Sequence, residues 1–341
     1  MRYIAIEEAF SIPELADGQS APWPANRFSR RSLADWALRL ADFTEYRLPE
    51  MDAAGIDVQV LSLTVPGLQA DLDPAAARES ARFANDYLAR VVAEHPGRFR
   101  GFAALPMQDP AAAADELRRC VRELGFCGAL VNDHLQGNYL DEPRYDEVWA
   151  AVEELSVPLY LHPGAPPADQ WKVLGGRPEL YGATWSWAAE TGGHALRVIY
   201  GGVFDRHPGA RLILGHMGEF LPFIRSRLDS RYLTLDLETP LQRLPSAYIG
   251  SNVLITTSGV FSPAALTGAV LEIGADAVLF SVDYPYESSH EAIAGLERTT
   301  LSDSDRHKIA HGNAERILML TAPGGCVSSR PQTEDKRRKA R

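Results

Sequence analysis

The chain opens with the sequence YIAIEEAF at residues 3–10, an apolar segment that carries two adjacent carboxylates. Its composition predicts a β-strand. Side chains alternate between the two faces of a strand, so Glu7 is expected on the face of Ala5 and Ala9, and Glu8 on the opposite face. A single glutamate at a strand end is more often a salt-bridge partner than a metal ligand. Glu7 therefore becomes a candidate site residue only together with residues elsewhere in the chain.

Three later apolar segments also close on a residue that can bind a metal or carry a proton. They are PLYLH ending at His162, LILGH ending at His216 and VLFSVD ending at Asp283. Active sites of parallel barrels lie at the carboxyl ends of the strands. Polar residues that end strands from distant parts of the chain therefore predict one site at one end of a barrel.

The order of segments predicts an α/β protein with a (β/α)8 TIM barrel. Eight short apolar segments alternate with helical or long connecting sequence, which is typical of parallel βαβ units. An open doubly wound sheet is the alternative, but the first strand is not followed by a glycine-rich phosphate turn. The predicted strands are residues 3–10, 58–63, 100–105, 128–131, 158–162, 211–215, 253–257 and 277–282.

Helices are predicted over residues 32–54, 74–94, 109–124, 141–155, 185–204, 220–232, 262–273 and 290–320, with an interruption at Gly192-Gly193. We expect one domain over residues 1–322 and a disordered polar and basic tail over 323–341. The long segment from Ser11 to Arg31, with Trp23 and Phe28, fits a lid over the site or a plain surface loop equally well.

Composition limits the classes of partner. The 341 residues are 45% hydrophobic and 23% charged, as in soluble globular proteins, and the formal net charge is −11. This charge argues against nucleic acid and anionic membranes as partners. Three widely spaced cysteines fit a reducing compartment, and a first strand that carries Glu7 and Glu8 is not a signal peptide. We therefore expect a cytoplasmic protein.

Four strand-end residues, Glu7, His162, His216 and Asp283, together favour a mononuclear site for a divalent metal. His216 lies in the sequence GHMGE, where a glutamate three residues later can orient the imidazole. Three further residues are less decisive. Arg227 can clamp a carboxylate or lie on a helix surface, His194 can serve the site or make a structural hydrogen bond, and Thr64 ends the second strand.

At these residues the chain resembles the decarboxylase branch of the amidohydrolase superfamily, in particular the o-hydroxybenzoate decarboxylases that act on 2,3-dihydroxybenzoate, γ-resorcylate or salicylate. The matching motifs include IEEAF at 6–10, YLHP at 160–163, GHMGE at 215–219, FSVDYP at 280–285 and GNAERI at 312–317. The resemblance implies a (β/α)8 barrel, one divalent metal, no organic cofactor and a homodimer or homotetramer. It also implies non-oxidative loss of CO2 from a small aromatic acid resembling 2,3-dihydroxybenzoate.

Carried over residue by residue, the resemblance assigns Glu7, His162 and Asp283 as metal ligands. Hydrolytic members of the superfamily usually have His-x-His in the first strand, where this chain reads Glu7-Glu8-Ala9. Ala9 leaves one ligand position open, which His216 or water can fill. Mixed oxygen and nitrogen ligands suit Mg2+, Mn2+ or Zn2+.

The mechanism expected from this assignment centres on Asp283, which protonates the ring carbon that bears the carboxylate, with His216 and Glu219 beside it. Arg227 and Thr64 are expected to contact the substrate. Two other classes stay open at this point. A metal-dependent hydrolase such as a lactonase can share the barrel and its ligands, although the missing His-x-His argues against it. The second class is a non-catalytic barrel or binding protein that has lost its metal. The four polar residues at the strand ends argue against this class.

Overall fold

A computed structural model describes residues 1–16, 28–69, 73–165 and 171–320. Its strands are β1 (Ile4–Phe10), β2 (Val58–Leu63), β3 (Phe99–Gly101), β4 (Ala103–Ala104), β5 (Ala129–Asn132), β6 (Pro158–His162), β7 (Arg211–Leu214), β8 (Val253–Thr256) and β9 (Val278–Leu279). The hydrogen-bonded order is β1-β2-β3 and β4-β5-β6-β7-β8-β9, and every pair is parallel.

The two sheets close into one barrel. β3 and β4 are two halves of one barrel strand, because Phe102 between them still donates its N–H to the Leu61 carbonyl at 2.9 Å. At the other seam, Ala9 N–H donates to the Tyr284 carbonyl at 2.8 Å, and Glu8 forms a parallel bridge with Tyr284. The predicted (β/α)8 TIM barrel is therefore confirmed.

The helices surround the barrel. They are α1 (Pro13–Ala16), α2 (Arg30–Ala41), α3 (Arg47–Ala54), α4 (Pro74–Glu94), α5 (Pro110–Arg122), α6 (Asp146–Leu155), α7 (Ser186–Tyr200), α8 (Val203–Arg206), α9 (Arg225–Tyr232), α10 (Pro263–Ile273), α11 (Ser289–Glu297), α12 (Asp303–His307) and α13 (Asn313–Ile317). Most of the predicted lid and all of the predicted tail, residues 17–27 and 323–341, lie outside the described residues.

Two helix predictions were wrong. Residues 32–54 form α2 and α3 rather than one helix, because the Asp42 carboxylate accepts backbone N–H groups from residues 44–47 and so ends one helix and starts the next. Gly192-Gly193 does not interrupt α7. A Cβ on Gly192 would lie 3.0 Å from the Glu219 carbonyl oxygen, so this glycine allows α7 to pack closely against the segment after β7.

The barrel interior below the site is apolar. One cluster of buried side chains fills it from several strands, including Ile4, Ile6, Val60, Tyr160, Ile213 and Leu279. A second, larger cluster lies between the strands and the helices and includes Ala5 and Phe10. Ala5 therefore faces the helices, and Ile6 faces the barrel interior.

A bulge in β1 aims Glu7 into the barrel. The register with β2 pairs Ala5 with Gln59 but Glu8 with Leu61, so β1 holds one extra residue between Ala5 and Glu8. Simple alternation would have put Glu7 on the outer face with Ala5, and the expectation that these two residues share a face was wrong. Because of the bulge, Glu7 instead faces inward with Ala9.

Glu8 points away from the barrel interior and belongs to a buried polar network. Gln59 donates to Glu8 Oε2 at 3.2 Å, and Arg47 donates to Gln59 Oε1 at 3.1 Å and to the Ala9 carbonyl. The Arg47 guanidinium also lies 4.3 Å from the centre of the Tyr284 ring. Burial raises the pKa of Glu8 to about 8 and lowers that of Arg47 to about 10. This network fastens β1 to the segment that carries Asp283.

Candidate metal and active site

A small cavity lies at the carboxyl ends of the strands, where the sequence predicts the site. Glu7, Thr64, Asn132, His162 and Asp283 line it, and its volume is about 10 Å3. That volume is about enough for one water molecule or one ion. The structure thus brings strand ends from distant parts of the chain to one point.

The proposed ligands form a compact donor set. One donor atom from each of Glu7, His162 and Asp283 lies within 4.8 Å of the other two. Glu7 Oε1 is 3.7 Å from His162 Nε2 and 3.6 Å from His216 Nε2. It is buried and has no hydrogen-bond partner among the described residues. A buried carboxylate oxygen without a partner is costly, and a divalent cation would satisfy it, so these residues fit a metal.

His162 is oriented for this task by its own loop. Its Nδ1 lies 2.9 Å from the Pro163 carbonyl oxygen, which turns Nε2 towards Glu7. A metal-binding histidine commonly uses its second nitrogen in this way, and the hydrogen bond at Nδ1 orients the ring so that Nε2 faces the other donors.

His216 lies on a strained segment beside the same donors. Its φ is +48°, and those of Met217, Glu219 and Phe220 are also positive. Non-glycine residues in this region are rare and often mark functional sites. His216 Nδ1 lies 2.7 Å from Glu219 Oε1, as the GHMGE motif predicts, and Nε2 is 3.6 Å from Asp283 Oδ2. The imidazole therefore bridges Glu219 and Asp283.

Burial and the neighbouring carboxylates shift the pKa of His216 in opposite directions. Burial disfavours the imidazolium, but the carboxylates of Glu7, Glu219 and Asp283 outweigh this effect and hold the pKa of His216 well above its usual value. Burial also raises the pKa of Glu219, although His216 opposes that shift. A cluster of acids this dense is consistent with a site that holds a cation.

Two predicted substrate contacts are placed very differently. Thr64 lines the cavity, and its hydroxyl lies 2.9 Å from the Tyr286 hydroxyl. Arg227 has an exposed side chain on α9 and is not among the residues that line this cavity. Its contact with a substrate stays a prediction, as does that of Thr64.

The open question about His194 is answered by its hydrogen bonds. Its Nδ1 lies 2.7 Å from Asp133 Oδ1, and its Nε2 accepts the Leu140 N–H at 2.8 Å. Both ring nitrogens are used inside the protein, so the interpretation as a structural hydrogen-bonding residue holds.

Three site residues were not found from the sequence. The hydroxyls of Tyr160, Thr256 and Ser258 all approach Glu7 Oε2. Tyr160 is two residues before His162 and so lies on the same strand face, which was a usable signal. Thr256 ends an apolar strand and Ser258 follows it, and this strand has no charged or imidazole residue at its end.

Gly215 leaves the space that Glu7 occupies. A Cβ at this position would lie 2.7 Å from Glu7 Oε1 and 2.8 Å from Oε2. We predict that Gly215→Ala displaces the carboxylate and weakens Mn2+ binding by roughly 10- to 100-fold, the range seen when a ligand's support is lost. Titration against a fluorescent chelator measures this. Gly193→Ala is the control, because a Cβ there meets nothing within 4 Å. Unchanged affinity in Gly215→Ala would contradict the assigned position of Glu7.

The chain matches a known family over most of its length. The family model described as Amidohydrolase matches residues 16–320. A γ-resorcylate decarboxylase of Rhizobium sp. (strain MTP-10005) is 44% identical over 325 residues, which cover 93% of this chain and 98% of that protein.

Solved structures of similar proteins have the same architecture. One is a 2,6-dihydroxybenzoate decarboxylase in complex with 2,6-dihydroxybenzoate, with a TM-score of 0.88, 43% identity and coverage of 94% of this chain and 100% of that chain. Another is a dihydroxybenzoic acid decarboxylase from Polaromonas sp. JS666 with bound manganese and the inhibitor 2-nitroresorcinol. Its TM-score is 0.87 at 43% identity, with coverage of 93% of this chain and 97% of that chain.

Among the described residues, none of the helices has both the length and the apolar character that a bilayer-spanning helix needs.

Proposed function

The chain belongs to the amidohydrolase family and is a metal-dependent decarboxylase of ortho-hydroxybenzoic acids, and from this premise we propose that its substrate is 2,6-dihydroxybenzoate. The observation that supports metal dependence is the set of Glu7, His162 and Asp283 around one buried carboxylate oxygen that has no partner among the described residues. The resemblance in the sequence placed 2,3-dihydroxybenzoate first. The names of the relatives favour the 2,6 pattern instead.

Glu7, His162 and Asp283 would hold one divalent cation, with His216 or water completing the site. Manganese is the preferred choice among Mg2+, Mn2+ and Zn2+, because mixed oxygen and nitrogen donors suit it and the Polaromonas relative was solved with it. When bound, the ion supplies the local positive charge that attracts and orients an anionic substrate in a chain of net charge −11.

The protein's own residues supply the proton. Asp283 lies on the cavity wall and would transfer a proton to the ring carbon that bears the carboxylate. The bond from that carbon to the carboxylate then breaks, its electron pair restores the aromatic ring, and CO2 leaves. His216 Nε2, 3.6 Å from Asp283 Oδ2, is placed to return a proton to Asp283, and Glu219 holds the other ring nitrogen. The products are resorcinol and CO2.

We also propose that the protein is a cytoplasmic homodimer or homotetramer. Large apolar side chains are exposed on the segment after α9 and on α10, among them Leu233 (71%), Leu235 (53%) and Leu271 (83%). Exposed apolar patches often mark contacts between subunits. A second copy of the chain would remove these side chains from water.

The two other classes lose support. The relatives described above are decarboxylases by name, and none of the observations at the site favours lactone hydrolysis over decarboxylation. A non-catalytic barrel does not fit a chain that keeps the three donors Glu7, His162 and Asp283 close together.

The choice of 2,6-dihydroxybenzoate predicts a clear substrate preference. Asn132 lines the cavity, and its Oδ1 is buried with no hydrogen-bond partner in the described part of the chain, so it can accept a hydrogen bond from a second ortho hydroxyl. A buried hydrogen bond of about 1–3 kcal/mol corresponds to roughly 5- to 150-fold in kcat/KM. We therefore expect 2,6-dihydroxybenzoate to be turned over at least about 5-fold faster than 2,3-dihydroxybenzoate.

Chromatography of resorcinol and catechol, with trapped CO2 as the second readout, measures both reactions on the Mn2+-loaded enzyme. The control is the same enzyme after chelation of the metal. A higher kcat/KM for 2,3-dihydroxybenzoate would restore the substrate that the sequence resemblance suggested.

A further inference from the structure

The two oxygens of Glu7 have opposite environments. Oε2 lies against the hydroxyls of Tyr160 and Ser258, which both donate to it, and 3.2 Å from the Thr256 hydroxyl. Among the residues that the structure describes, Oε1 has no hydrogen-bond partner, and it faces the imidazoles of His162 and His216. The carboxylate is thus held by one oxygen and presents the other.

The three hydroxyls also lie within hydrogen-bonding distance of one another, with Thr256 between Tyr160 and Ser258. The Thr256 hydroxyl lies 3.1 Å from that of Tyr160 and 2.8 Å from that of Ser258. All three residues are fully buried, and Glu7 itself is 2% exposed. Because Tyr160 comes from β6 and the other two from β8 and the residues after it, the group joins two strands around a carboxylate from β1.

We propose that Tyr160, Thr256 and Ser258 form a hydroxyl cradle that makes Glu7 a one-oxygen metal ligand and sets the affinity of the site. The three are positioning residues, since they would act on the metal through Glu7 and are not among the residues that line the cavity. The inference rests on the proposed role of Glu7 as a ligand.

The hydroxyl cradle restricts the orientation of the buried Glu7 carboxylate. A free carboxylate can rotate and offer a cation one oxygen or both, and each choice changes the number of ligands and the position of the ion. Hydrogen bonds from supporting residues orient a metal ligand and raise metal affinity. Two donors and a third hydroxyl on Oε2 occupy that oxygen, so only Oε1 is left for the ion.

Ser258 has a second contact that extends the cradle. Its Oγ accepts the backbone N–H of His216 at 3.0 Å while its hydroxyl donates to Glu7. One side chain therefore joins the metal ligand to the strained segment that carries His216. The side-chain hydrogen bonds of Tyr160 and Thr256 that the structure describes go to Glu7 and within the cradle rather than to that segment, which makes these two the cleaner positions for a test.

The test measures Mn2+ affinity without any substrate, by competition with a fluorescent chelator. Tyr160→Phe removes one donor to Oε2 and is expected to weaken Mn2+ binding by roughly 10- to 100-fold. Tyr248→Phe is the matched control. Tyr248 is equally buried and its hydroxyl also donates to a carboxylate, that of Asp205, but it precedes β8 at the opposite end of the barrel. The control should bind Mn2+ as the wild type does.

A second pair of variants, at Thr256, distinguishes loss of the hydroxyl from loss of side-chain packing. Thr256→Val keeps the size of the side chain and removes its hydroxyl, whereas Thr256→Ser keeps the hydroxyl. Loss of affinity in the valine variant and its recovery in the serine variant would support the cradle. The pair also decides the question if Tyr160→Phe does not fold.

Wild-type Mn2+ affinity in both Tyr160→Phe and Thr256→Val would overturn the proposal, and so would a wild-type chain that binds no Mn2+. A wild type that binds Mn2+ but decarboxylates none of the hydroxybenzoates would overturn the proposed function alone. The binding data on the cradle would stand in that case.

Discussion

His162→Ala is expected to lose bound metal and decarboxylase activity together. His162 is the nitrogen donor of the compact set with Glu7 and Asp283, and its Nδ1 is already engaged by the Pro163 carbonyl. Without His162 the set has two carboxylates and no nitrogen donor. The two carboxylates repel each other, and the ion that offsets this repulsion is then held by fewer ligands. The loss of metal affinity should exceed the roughly 10- to 100-fold that removal of a supporting residue costs.

Two measurements on the same preparation check this result: the metal content per chain by mass spectrometry and the initial rate of CO2 release. His95→Ala is the control. His95 follows α4 and precedes β3, so it lies at the end of the barrel opposite the site. It should keep both metal and activity. A His162→Ala variant with full metal content and full activity would remove His162 from the ligand set.

The barrel could be predicted from the sequence because its signals are local. Apolar strands such as β6 and helix starts such as Asp109-Pro110 each follow from a few neighbouring residues. The site could be predicted because parallel strands bring their carboxyl ends together whatever lies between them. Strand ends at His162 and Asp283 were therefore expected to meet, and they do.

What the sequence did not reveal depends on contacts between distant segments. The bulge that turns Glu7 inward is visible only in the pairing of β1 with β2, and alternation alone would have placed Glu7 outside the barrel. The cradle of Tyr160, Thr256 and Ser258 forms only when β6 and β8 close around β1. In the sequence, each of these hydroxyls is one polar residue in or after an apolar strand.

The positive φ angles of His216 and Glu219 could not be predicted from the sequence either. Residues of these types rarely adopt that conformation, so nothing in their identity predicted it. The surrounding contacts make it possible. Gly215 leaves room for Glu7, and Ser258 accepts the His216 N–H. Strain of this kind at a site is consistent with a geometry selected for chemistry rather than for stability.

The second large effect is expected from the substrate. Benzoates with an ortho hydroxyl should react, and those with hydroxyls only at the meta or para positions should not. An ortho hydroxyl places a second oxygen beside the carboxylate, so the two can face the same cation and hold the ring in one orientation. That orientation brings the carboxylate-bearing carbon to Asp283, on the wall that also carries Glu7 and His162.

The size of the effect follows from the value of positioning. Well-oriented reacting groups can gain roughly 7–11 kcal/mol over freely diffusing ones. The ortho oxygen also takes up electron density when the ring carbon is protonated, so its removal weakens stabilisation of the transition state as well. Loss of half of the positioning gain alone would lower the rate by on the order of a thousandfold.

The comparison uses salicylate and 2,3-, 2,4- and 2,6-dihydroxybenzoate against 3- and 4-hydroxybenzoate, with phenol products followed by chromatography. 3-Hydroxybenzoate and 4-hydroxybenzoate have the same ring, carboxylate and charge as salicylate, so they isolate the position of the hydroxyl. If they bind as inhibitors without turnover, the ortho oxygen acts in the reaction rather than in recognition of the ring. Turnover of 4-hydroxybenzoate at a rate comparable to salicylate would exclude an orienting role for the ortho oxygen, and with it the mechanism built on Asp283.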